Sequence, residues 1–313
     1  MIPSKQIVIE AGNRVAPFVH RTPVLTSRLL NEMAGAEVFF KCENLQKMGA
    51  FKMRGAINAI QQLSEAQKKA GVVTHSSGNF GQALALAAKN LGVNAYIVMP
   101  SSAPAVKIEA VKSYGGLVTI TEPTLEAREK SAANIVAEKG AVFLHPSNDL
   151  NVIVGQGTAA LELLQDQPGL EYVMSPVGGG GLIAGTALAA HYLGKNCRVI
   201  GAEPMEVDDA YRAFKSGKIE YNTSTDTIAD GLKTNLGDIN FPIIMELVSD
   251  IIRVEEGEIV NAMKLIWERM KLVIEPSSAV PFAALLKERE KFKNKKVGII
   301  LSGGNVELSN LPF

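Results

Sequence analysis

Four consecutive glycines, Gly178 to Gly181, are the first residues whose type and spacing suggest chemistry. They follow an apolar run at 172–177 and open a stretch at 182–193 that is predicted to be a helix. Glycine has no Cβ, so its backbone can approach a ligand closely and adopt positive φ angles. Free amide N–H groups at a helix N-terminus bind anions, because the helix dipole and the donors point the same way. The pattern predicts an anion site, and a dinucleotide, a nucleoside triphosphate or a cofactor phosphate would each suit it.

The residues after the glycines distinguish these anions only in part. A P-loop needs a lysine after its last glycine, and Thr186 follows Gly185 instead. A dinucleotide site is compatible, because Gly179–Ala184 matches the G-x-G-x-x-G/A form and Glu203 follows at about 20 residues, where an acid binds a ribose hydroxyl. A nicotinamide-dependent oxidoreductase therefore stays open at this point. So does a glycine-rich turn that only lets a helix and a strand pack closely.

Lys52 is a candidate nucleophile. It follows Phe51 and lies in an apolar segment that is predicted to be a helix running toward Ile60. Loss of water around a lysine lowers its pKa and favours the neutral, nucleophilic amine. The alternative is a solvated lysine at a helix surface, which is the commoner situation for this residue type.

A second loop of small polar residues runs from Ser76 to Gly81, between a predicted strand and a predicted helix. It offers backbone amides that can surround an anion, two hydroxyls and one carboxamide. The alternative is an ordinary helix N-cap, for which serine and asparagine are preferred.

Together these three stretches resemble the fold type II (β-family) pyridoxal-phosphate enzymes, and among them the eukaryotic-type serine racemases and their serine/threonine dehydratase relatives. The resemblance covers essentially the whole chain. It implies pyridoxal 5′-phosphate as cofactor, bonded covalently to Lys52. The residues implied to bind the cofactor are Phe51 and Lys52, Asn79 at the ring hydroxyl, Gly178, Gly179, Gly180, Gly181 and the Leu182 amide at the phosphate, and Ser302 at the pyridine nitrogen. A neutral hydroxyl at that nitrogen suits Cα deprotonation and β-elimination.

The resemblance also implies two catalytic residues on opposite faces of the substrate Cα. Lys52 would act on one face and Ser77 on the other, with its pKa lowered by amides at a helix N-terminus. The residues implied to bind the substrate are Ser76, Ser77, Gly78 and Asn79. We expect serine racemisation together with serine/threonine-type β-elimination to a keto acid and ammonia. The alternative is a dehydratase for L-threo-3-hydroxyaspartate or threonine with little racemase activity.

The segment from Glu203 to Asp209 resembles the divalent-cation site of the racemases. The implied ligands are the Glu203 and Asp209 carboxylates and the Val207 carbonyl, and oxygen ligands of this kind suit Mg²⁺ or Ca²⁺. The alternative is that Asp208 and Asp209 only place negative charge at the start of a helix.

Three positions bear on the choice of substrate. Ala50 replaces the serine that is usual in the family motif, and Phe80 replaces the histidine that is common in racemases. Both change the wall of the site. Arg128 aligns with an arginine of the racemase group and would favour an acidic substrate such as 3-hydroxyaspartate, unless it is a solvated helix residue.

The elements that must position these residues alternate along the chain from residue 70 onward. Short β-branched apolar runs are predicted strands at 72–75, 95–99, 117–120, 141–144, 172–177, 198–202, 251–254 and 297–301. Longer amphipathic segments between them predict an α/β fold with open, mostly parallel sheets and helices on both faces. The polar, turn-rich stretch 217–241 is expected at the surface. The resemblance implies two such domains, as in the tryptophan synthase β subunit: a large cofactor-binding domain at 1–65 and 148–313, and a small domain at 66–147.

Composition limits the partners. Lysine and arginine total 32, as do aspartate and glutamate, so no nucleic acid or anionic membrane is expected as partner. No apolar run approaches the roughly 20 residues that span a bilayer. Only two cysteines, Cys42 and Cys197, are present, which favours a reducing compartment. The sequence therefore predicts a soluble, cytoplasmic protein acting on a small amino acid, and the resemblance implies a homodimer.

Overall fold

The computed structural model describes residues 2–313, in which the strands form two sheets. The strands are β1 (Val24–Leu25), β2 (Glu37–Cys42), β3 (Val72–His75), β4 (Ala95–Pro100), β5 (Leu117–Thr121), β6 (Val142–Phe143), β7 (Tyr172–Pro176), β8 (Arg198–Pro204), β9 (Val248–Val254) and β10 (Lys296–Leu301). The α-helices are α1 (Lys5–Val15), α2 (Arg28–Ala34), α3 (Lys52–Gln61), α4 (Glu65–Ala70), α5 (Asn79–Asn90), α6 (Ala105–Ser113), α7 (Leu125–Lys139), α8 (Leu150–Asp166), α9 (Gly181–Leu193), α10 (Asp209–Ser216), α11 (Asn240–Leu247), α12 (Glu256–Met270) and α13 (Pro276–Lys287).

The larger sheet has the strand order β1-β2-β10-β7-β8-β9, and the smaller has the order β5-β4-β3-β6. Every neighbouring pair is parallel except β1 with β2. Parallel sheets are covered by helices because their connections cross over one face or the other. The predicted α/β fold with two mostly parallel sheets is confirmed. In residues 2–313, no helix has the length and apolar character needed to cross a membrane.

Two parts of the chain differ from the sequence-based expectation. Apart from the helix that contains Lys52, which is confirmed as α3, the elements before residue 70 were not predicted, although β2 pairs with the central strand β10. The stretch 217–241 is not simply surface, because Leu232 and Leu236 are almost fully buried. Both leucines contact the glycine run: a Cβ on Gly178 would lie 2.7 Å from the Leu232 Cα, and one on Gly180 would lie 2.6 Å from a Leu236 methyl.

The proposed division of the chain stays a prediction. All four strands of the smaller sheet lie within 66–147, and the strands of the larger sheet lie outside it, which supports the proposal. The proposed boundary after residue 65 falls inside α4, however, so a boundary before Ser64, the N-cap of that helix, fits the structure better.

A buried ionic network fixes α3 to its neighbours. Arg54 on α3 bonds Glu43 with its Nε at 2.7 Å and Glu162 of α8 with its Nη1 at 2.8 Å. The Lys41 Nζ lies 2.6 Å from a second Glu162 oxygen. Two positive and two negative charges are thus buried together and satisfied by one another, as buried charges must be. The network sets the position of α3, and with it that of Lys52 at the first turn.

Candidate active site

Lys52 is partly buried at the start of α3 between two aromatic rings. Its Nζ donates a hydrogen bond to the Pro146 carbonyl at 2.8 Å, and it lies 4.9 Å from the Phe51 ring centroid and 5.8 Å from that of Phe80. Burial lowers the pKa of Lys52 to about 8, against the opposing charge of Glu275. A substantial fraction of the amine is therefore neutral at slightly alkaline pH, as a nucleophile or base requires.

The glycine run forms a backbone cradle at the start of α9. A Cβ on Gly181 would lie 2.5 Å from the Gln156 Oε1, and one on Gly180 would lie 2.7 Å from the Asn240 Oδ1. Gly180 also has a φ of 80°, which other residues adopt only with strain. Side chains are thus excluded at these positions, and backbone amides at the helix N-terminus are left to face a ligand. Close packing accounts for the absence of side chains here, and the phosphate site at these amides stays a prediction.

The loop between β6 and α8 joins the cradle to Lys52. Pro146 accepts the Lys52 hydrogen bond and a second one from Gln156 Nε2 at 3.0 Å. The next residue, Ser147, packs its hydroxyl against Gly179. Asn240 clamps this arrangement, since its Nδ2 donates to the Ser147 carbonyl at 3.0 Å and to the Gly179 carbonyl at 2.8 Å. Sequence reasoning missed this loop and Asn240, because only the fold brings them to the glycines.

His145, in the same loop, is held as a neutral imidazole. Its Nδ1 lies 3.2 Å from the Ser147 amide and 2.8 Å from the Asn148 amide, so it accepts both hydrogen bonds. Burial lowers the pKa of His145 to about 4, with smaller contributions from His75 and Lys52. The ring therefore carries its proton on Nε2. This histidine was also missed, because a lone histidine after a strand gives no signal of its own.

The loop Ser76–Gly78 lies between β3 and α5 and is partly buried. The Gly78 amide donates to the Ser76 hydroxyl at 3.3 Å, so this hydroxyl is used within the loop. Ser77 lies beside it, ahead of the α5 N-terminus. Asn79 begins α5 without capping it: its Nδ2 lies 3.1 Å from both carboxylate oxygens of Glu275, and its Oδ1 accepts from Asn305 Nδ2 at 2.9 Å.

Ser302 lies at the carboxyl end of β10, in the centre of the larger sheet. It is almost fully buried, with its hydroxyl 3.0 Å from that of Ser278. The Ser302 carbonyl accepts from the Phe51 amide at 3.0 Å, which ties this strand end to the residue before Lys52. The fold thus brings four separated parts of the chain together, namely the α3 start, the α5 start, the α9 start and the end of β10.

Glu275 is a further residue of this cluster that sequence reasoning missed. It lies immediately before α13 with 3% of its surface exposed, and its amide donates to the Gly303 carbonyl at 3.1 Å. Burial, reinforced by the charge of Asp230, raises the pKa of Glu275 to about 7. The available signal was an acid between Ile274 and Pro276, at the head of an apolar helix.

Arg128 lies on α7, partly exposed. Its Nε donates to the Thr124 carbonyl at 3.3 Å, and within residues 2–313 it forms no ion pair with an acid. After burial, its charge is the main cause of the lowered pKa of His75. The His75 ring in turn stacks on Phe143, with centroids 5.4 Å apart. Arg128 therefore directs an unneutralised positive charge toward the end of β3.

Glu203 and Asp209 form a separate acidic pair at the end of β8. The Glu203 carboxylate accepts from the Tyr211 amide at 2.8 Å, and Asp209 accepts from Asn222 Nδ2 at 2.6 Å and from the Leu236 amide at 3.1 Å. Burial, reinforced by the charge of Asp209, raises the pKa of Glu203 well above its usual range. Burial also raises the pKa of Asp209 to about 6. Both carboxylates are thus fully buried, and neither forms a salt bridge with a lysine or arginine of residues 2–313.

Asp208, by contrast, belongs to a different set of contacts. Its carboxylate lies 2.7 Å from Arg212 and 2.7 Å from Arg253. Of the two aspartates, only Asp209 therefore shares a buried space with Glu203. Over the described part of the chain, no three histidine, cysteine, aspartate or glutamate side chains converge on a metal site, so any cation would depend on two carboxylates and backbone or water oxygens.

The chain matches a protein family and several characterised relatives over nearly its whole length. The family described as "Pyridoxal-phosphate dependent enzyme" matches residues 15–303. A serine racemase of Dictyostelium discoideum is 52% identical over 306 residues, which cover 96% of this chain and 94% of that protein. A beta-hydroxyaspartate dehydratase of Paracoccus denitrificans is 48% identical, with 100% and 99% covered. The structure of maize serine racemase superposes with a TM-score of 0.96 at 46% identity, covering 99% of this chain and 95% of the other.

Proposed function

Because this chain belongs to the pyridoxal-phosphate dependent enzymes, we propose that it is a serine racemase that also acts as a serine/threonine-type dehydratase. The observation that carries the proposal is the connection of Lys52 to the glycine cradle through Pro146 and Ser147. The loop at Pro146 and Ser147 thus contacts a lysine of lowered pKa on one side and the glycine cradle on the other. The family match over residues 15–303 disfavours a nicotinamide-dependent oxidoreductase.

The residues present fit pyridoxal 5′-phosphate. Lys52 would bind it covalently beside Phe51, and the cradle would bind its phosphate with the amides of four glycines at a helix N-terminus. Asn79 is fixed by Glu275 and Asn305, so its carboxamide can meet a ring hydroxyl in one orientation. Ser302 offers a buried hydroxyl for a ring nitrogen. The proposed cofactor contacts are Phe51, Lys52, Asn79, Gly178, Gly179, Gly180, Gly181, the Leu182 amide and Ser302.

Proton transfer at the substrate Cα falls to two residues in this proposal. The cofactor withdraws electrons from the bound amino acid and makes its Cα–H acidic. The Lys52 amine takes or returns the proton on one face, and the Ser77 hydroxyl does so on the other. The Ser77 and Asn79 amides, at the α5 N-terminus, hold the substrate carboxylate in this proposal. The predicted Ser76 and Gly78 amides are already used, since the first donates to the Val98 carbonyl at 3.1 Å and the second to the Ser76 hydroxyl. Two proton carriers on opposite faces invert the centre, and one alone does not.

Dehydration needs no additional catalytic residue. The Lys52 amine takes the Cα proton and, as the ammonium, gives it to the β-hydroxyl, which leaves as water. The amino acid, now without the elements of water, is released as an enamine. Hydrolysis of the enamine gives a keto acid and ammonia. The apolar wall of Phe51 and Phe80 around the Lys52 amine limits the access of water during proton transfer.

The decisive experiment incubates the protein with L-serine, D-serine, L-threonine and L-threo-3-hydroxyaspartate, and measures keto acid and chirality together. We expect a yellow protein that interconverts the serine enantiomers and produces keto acid. Borohydride should remove the colour and leave the reduced cofactor attached to Lys52, as peptide mapping would show. A colourless protein contradicts the proposal. A coloured protein that turns over no amino acid would instead be a sensor built on the same fold.

Ser77→Ala tests the division of work between the two proton carriers. Racemisation should be abolished, while keto acid formation from L-serine partly survives because Lys52 remains. Ser76→Ala is the matched control, since that hydroxyl bonds within the loop and should leave the ratio of the two activities unchanged. Equal loss of both activities in Ser77→Ala would refute the assignment.

A 3-hydroxyaspartate dehydratase is the second candidate, and Arg128 favours it. An arginine without an acidic partner can receive the extra carboxylate of an acidic substrate. Arg128→Gln should then reduce kcat/KM for L-threo-3-hydroxyaspartate by about tenfold or more and leave that for L-serine nearly unchanged. If the variant treats both substrates alike, Arg128 does not select the substrate.

We also propose a divalent cation, Mg²⁺ or Ca²⁺, between Glu203 and Asp209, with the Val207 carbonyl as a third ligand. Two adjacent buried carboxylates that no lysine or arginine of residues 2–313 pairs with support it, and their hard oxygens suit either ion. The cation would stabilise the start of α10 and stay away from the reacting atoms. A chelator should lower stability and activity, and readdition of Mg²⁺ should restore both.

The assembly and location follow the same proposal. A homodimer predicts a mass of twice 33.4 kDa by light scattering. The cytoplasm suits the two free cysteines, Cys42 and Cys197, and cell fractionation would test the location. The proposed substrate is a small amino acid, and a chain without net charge gives no reason to expect a nucleic acid partner.

A further inference from the structure

Glu275 is a rigidly held carboxylate in the centre of the proposed active site. Both of its oxygens lie 3.1 Å from Asn79 Nδ2, and its amide donates to the Gly303 carbonyl at 3.1 Å. A Cβ on Gly303 would lie 2.9 Å from a Glu275 oxygen, so the strand end packs directly against the carboxylate. Glu275 forms no salt bridge within residues 2–313. A buried carboxylate kept without a cation is costly, which indicates a use beyond packing.

The contact with Glu275 fixes the orientation of the Asn79 carboxamide. Asn79 Oδ1 accepts from Asn305 Nδ2 at 2.9 Å, and the same Nδ2 donates to the Met48 carbonyl at 2.9 Å. A flipped carboxamide would place Nδ2 against another donor and its oxygen against a carboxylate. Nδ2 therefore always faces Glu275. It has two hydrogens, and the one that Glu275 does not use remains for a ring hydroxyl.

The charge of Glu275 is balanced by groups on several elements. Burial and Asp230 raise its pKa to about 7, while the Asn79 hydrogen bond and Lys107 oppose the rise. Lys107 on α6 and Asp230 are themselves paired at 3.1 Å. Lys52 faces the carboxylate from α3, and the negative charge of Glu275 supports its protonation. A carboxylate in this setting changes its charge near neutral pH and so changes the field that Lys52 and Asn79 experience.

We propose that Glu275 is a positioning residue that holds Asn79 in its donating orientation and sets the electrostatic potential at the ring-hydroxyl end of the cofactor. This inference rests on the proposed function. A negative charge at that end increases the affinity of neighbouring groups for protons. Glu275 acts through Asn79 and Lys52 and transfers no proton to the substrate.

The test compares the native holoenzyme with Glu275→Gln, which keeps the size and an acceptor oxygen but not the charge. The visible absorption of the bound cofactor is titrated between about pH 5.5 and about pH 9, in ~0.5-unit steps, because the expected midpoint of the transition lies inside that range. The native protein should show a spectral transition with a midpoint near the Glu275 pKa of about 7, and the variant should lack it. We expect kcat for L-serine to fall by about tenfold, the lower end of what loss of an orienting partner costs at metal sites, with KM little changed. A variant that keeps both the transition and kcat would overturn the inference.

Two further variants keep the inference testable if Glu275→Gln folds or loads poorly. Asp230→Asn removes the anion that raises the Glu275 pKa, so the spectral midpoint should move to lower pH; an unchanged midpoint contradicts the proposal. Glu256→Gln is the matched control, because Glu256 is a partly buried glutamate that bonds Thr227 and the Ile228 amide instead. It should keep the native titration. A native protein that takes up no cofactor would refute the proposed function itself, which these outcomes distinguish from failure of the role of Glu275.

Discussion

Arg54 and Lys52 stand two residues apart on α3, and their surroundings are opposite. Arg54 lies between Glu43 and Glu162 in direct ion pairs. Burial alone would lower the pKa of Arg54, but these two carboxylates raise it. Lys52 bonds only the neutral Pro146 carbonyl, and burial lowers its pKa to about 8. One turn of helix thus carries a cation that is permanently charged and a cation that can lose its proton.

The glutamates of the two regions differ in the same way. Glu162 is paired with two cations, and although burial opposes it, these partners lower its pKa. Glu275 accepts hydrogen bonds from neutral amides and forms no ion pair within residues 2–313, and burial raises its pKa to about 7. Paired charges at short distance hold the fold and have no further reactivity. Charges that are kept apart retain the ability to exchange protons near neutral pH, which is what catalysis needs.

Lys52→Ala is expected to give the largest effect. Turnover should fall by about 10⁴-fold, equivalent to about 5 kcal/mol of barrier, because the variant has neither the covalent attachment nor the proton carrier. Its free energy of unfolding should change by less than about 1 kcal/mol, since Lys52 forms no direct ion pair within residues 2–313. Steady-state kinetics and urea denaturation measure the two quantities. If Lys52→Ala turned over substrate at the native rate, Lys52 would not be the reactive residue, and its contrast with the structural Arg54 would be wrong.

Arg54→Met should do the reverse and damage stability first. It leaves the Glu43 and Glu162 carboxylates buried with one cation, so the free energy of unfolding should fall by about 3–5 kcal/mol. Arg21→Gln is the matched control, because Arg21 pairs with Asp166 at an exposed position and should cost less than about 1 kcal/mol. If both variants lose the same small amount in urea denaturation, the buried network does not anchor α3.

Added Mg²⁺ extends the comparison of paired and unpaired charges to Glu203 and Asp209, the two acids of the proposed cation site. At a concentration of about 100 times its dissociation constant, the ion should stabilise the protein by about 2.7 kcal/mol. Asp209→Asn should abolish the gain in thermal denaturation. Asp208→Asn should retain it, because Asp208 already bonds Arg212 and Arg253. A gain lost equally in both variants would place the ion elsewhere.

The pH dependence of cofactor uptake gives the smallest effect. At pH values below the Lys52 pKa of about 8, the fraction of Lys52 that is neutral rises about tenfold for each unit increase in pH. Recovery of colour by the apoprotein should therefore accelerate up to about pH 8 and then level off. An N-acetylated lysine amide in the same buffers corrects for ionisation of the free cofactor. A midpoint at the ordinary lysine value of about 10.4 would mean that Lys52 is not desolvated.

Features that the sequence predicted well are those that neighbouring residues define. The alternation of strands and helices after residue 70 follows from local hydrophobic patterns, and the structure reproduces it. The four glycines begin a helix as expected. The membership of the family followed from the order and spacing of Lys52, the loop at 76–81 and the glycines, and the family match over residues 15–303 confirms it.

Features that the sequence did not predict depend on contacts between distant parts of the chain. Asn240 bonds the Gly179 carbonyl across 61 positions, and Glu275 meets Asn79 across 196. An isolated asparagine or glutamate has no periodic pattern that reveals such a contact. The stretch 217–241 was assigned to the surface for its polarity, but Leu232 and Leu236 turn inward to close the cradle. The roles of the site residues stay predictions until the variants are measured.

The central position of β10 has a consequence for how the protein is made. β10 pairs with β2 on one side and with β7 on the other, and Ser302 follows it directly. Among the described strands, only β10 pairs with both β2 and β7. The larger sheet therefore stays divided until β10 has left the ribosome. Closing a loop from residue 42 to 296 is also among the slow, entropically costly steps of folding. The nascent chain can order its smaller sheet early in synthesis, but it becomes able to hold a cofactor only after β10 has been made and paired.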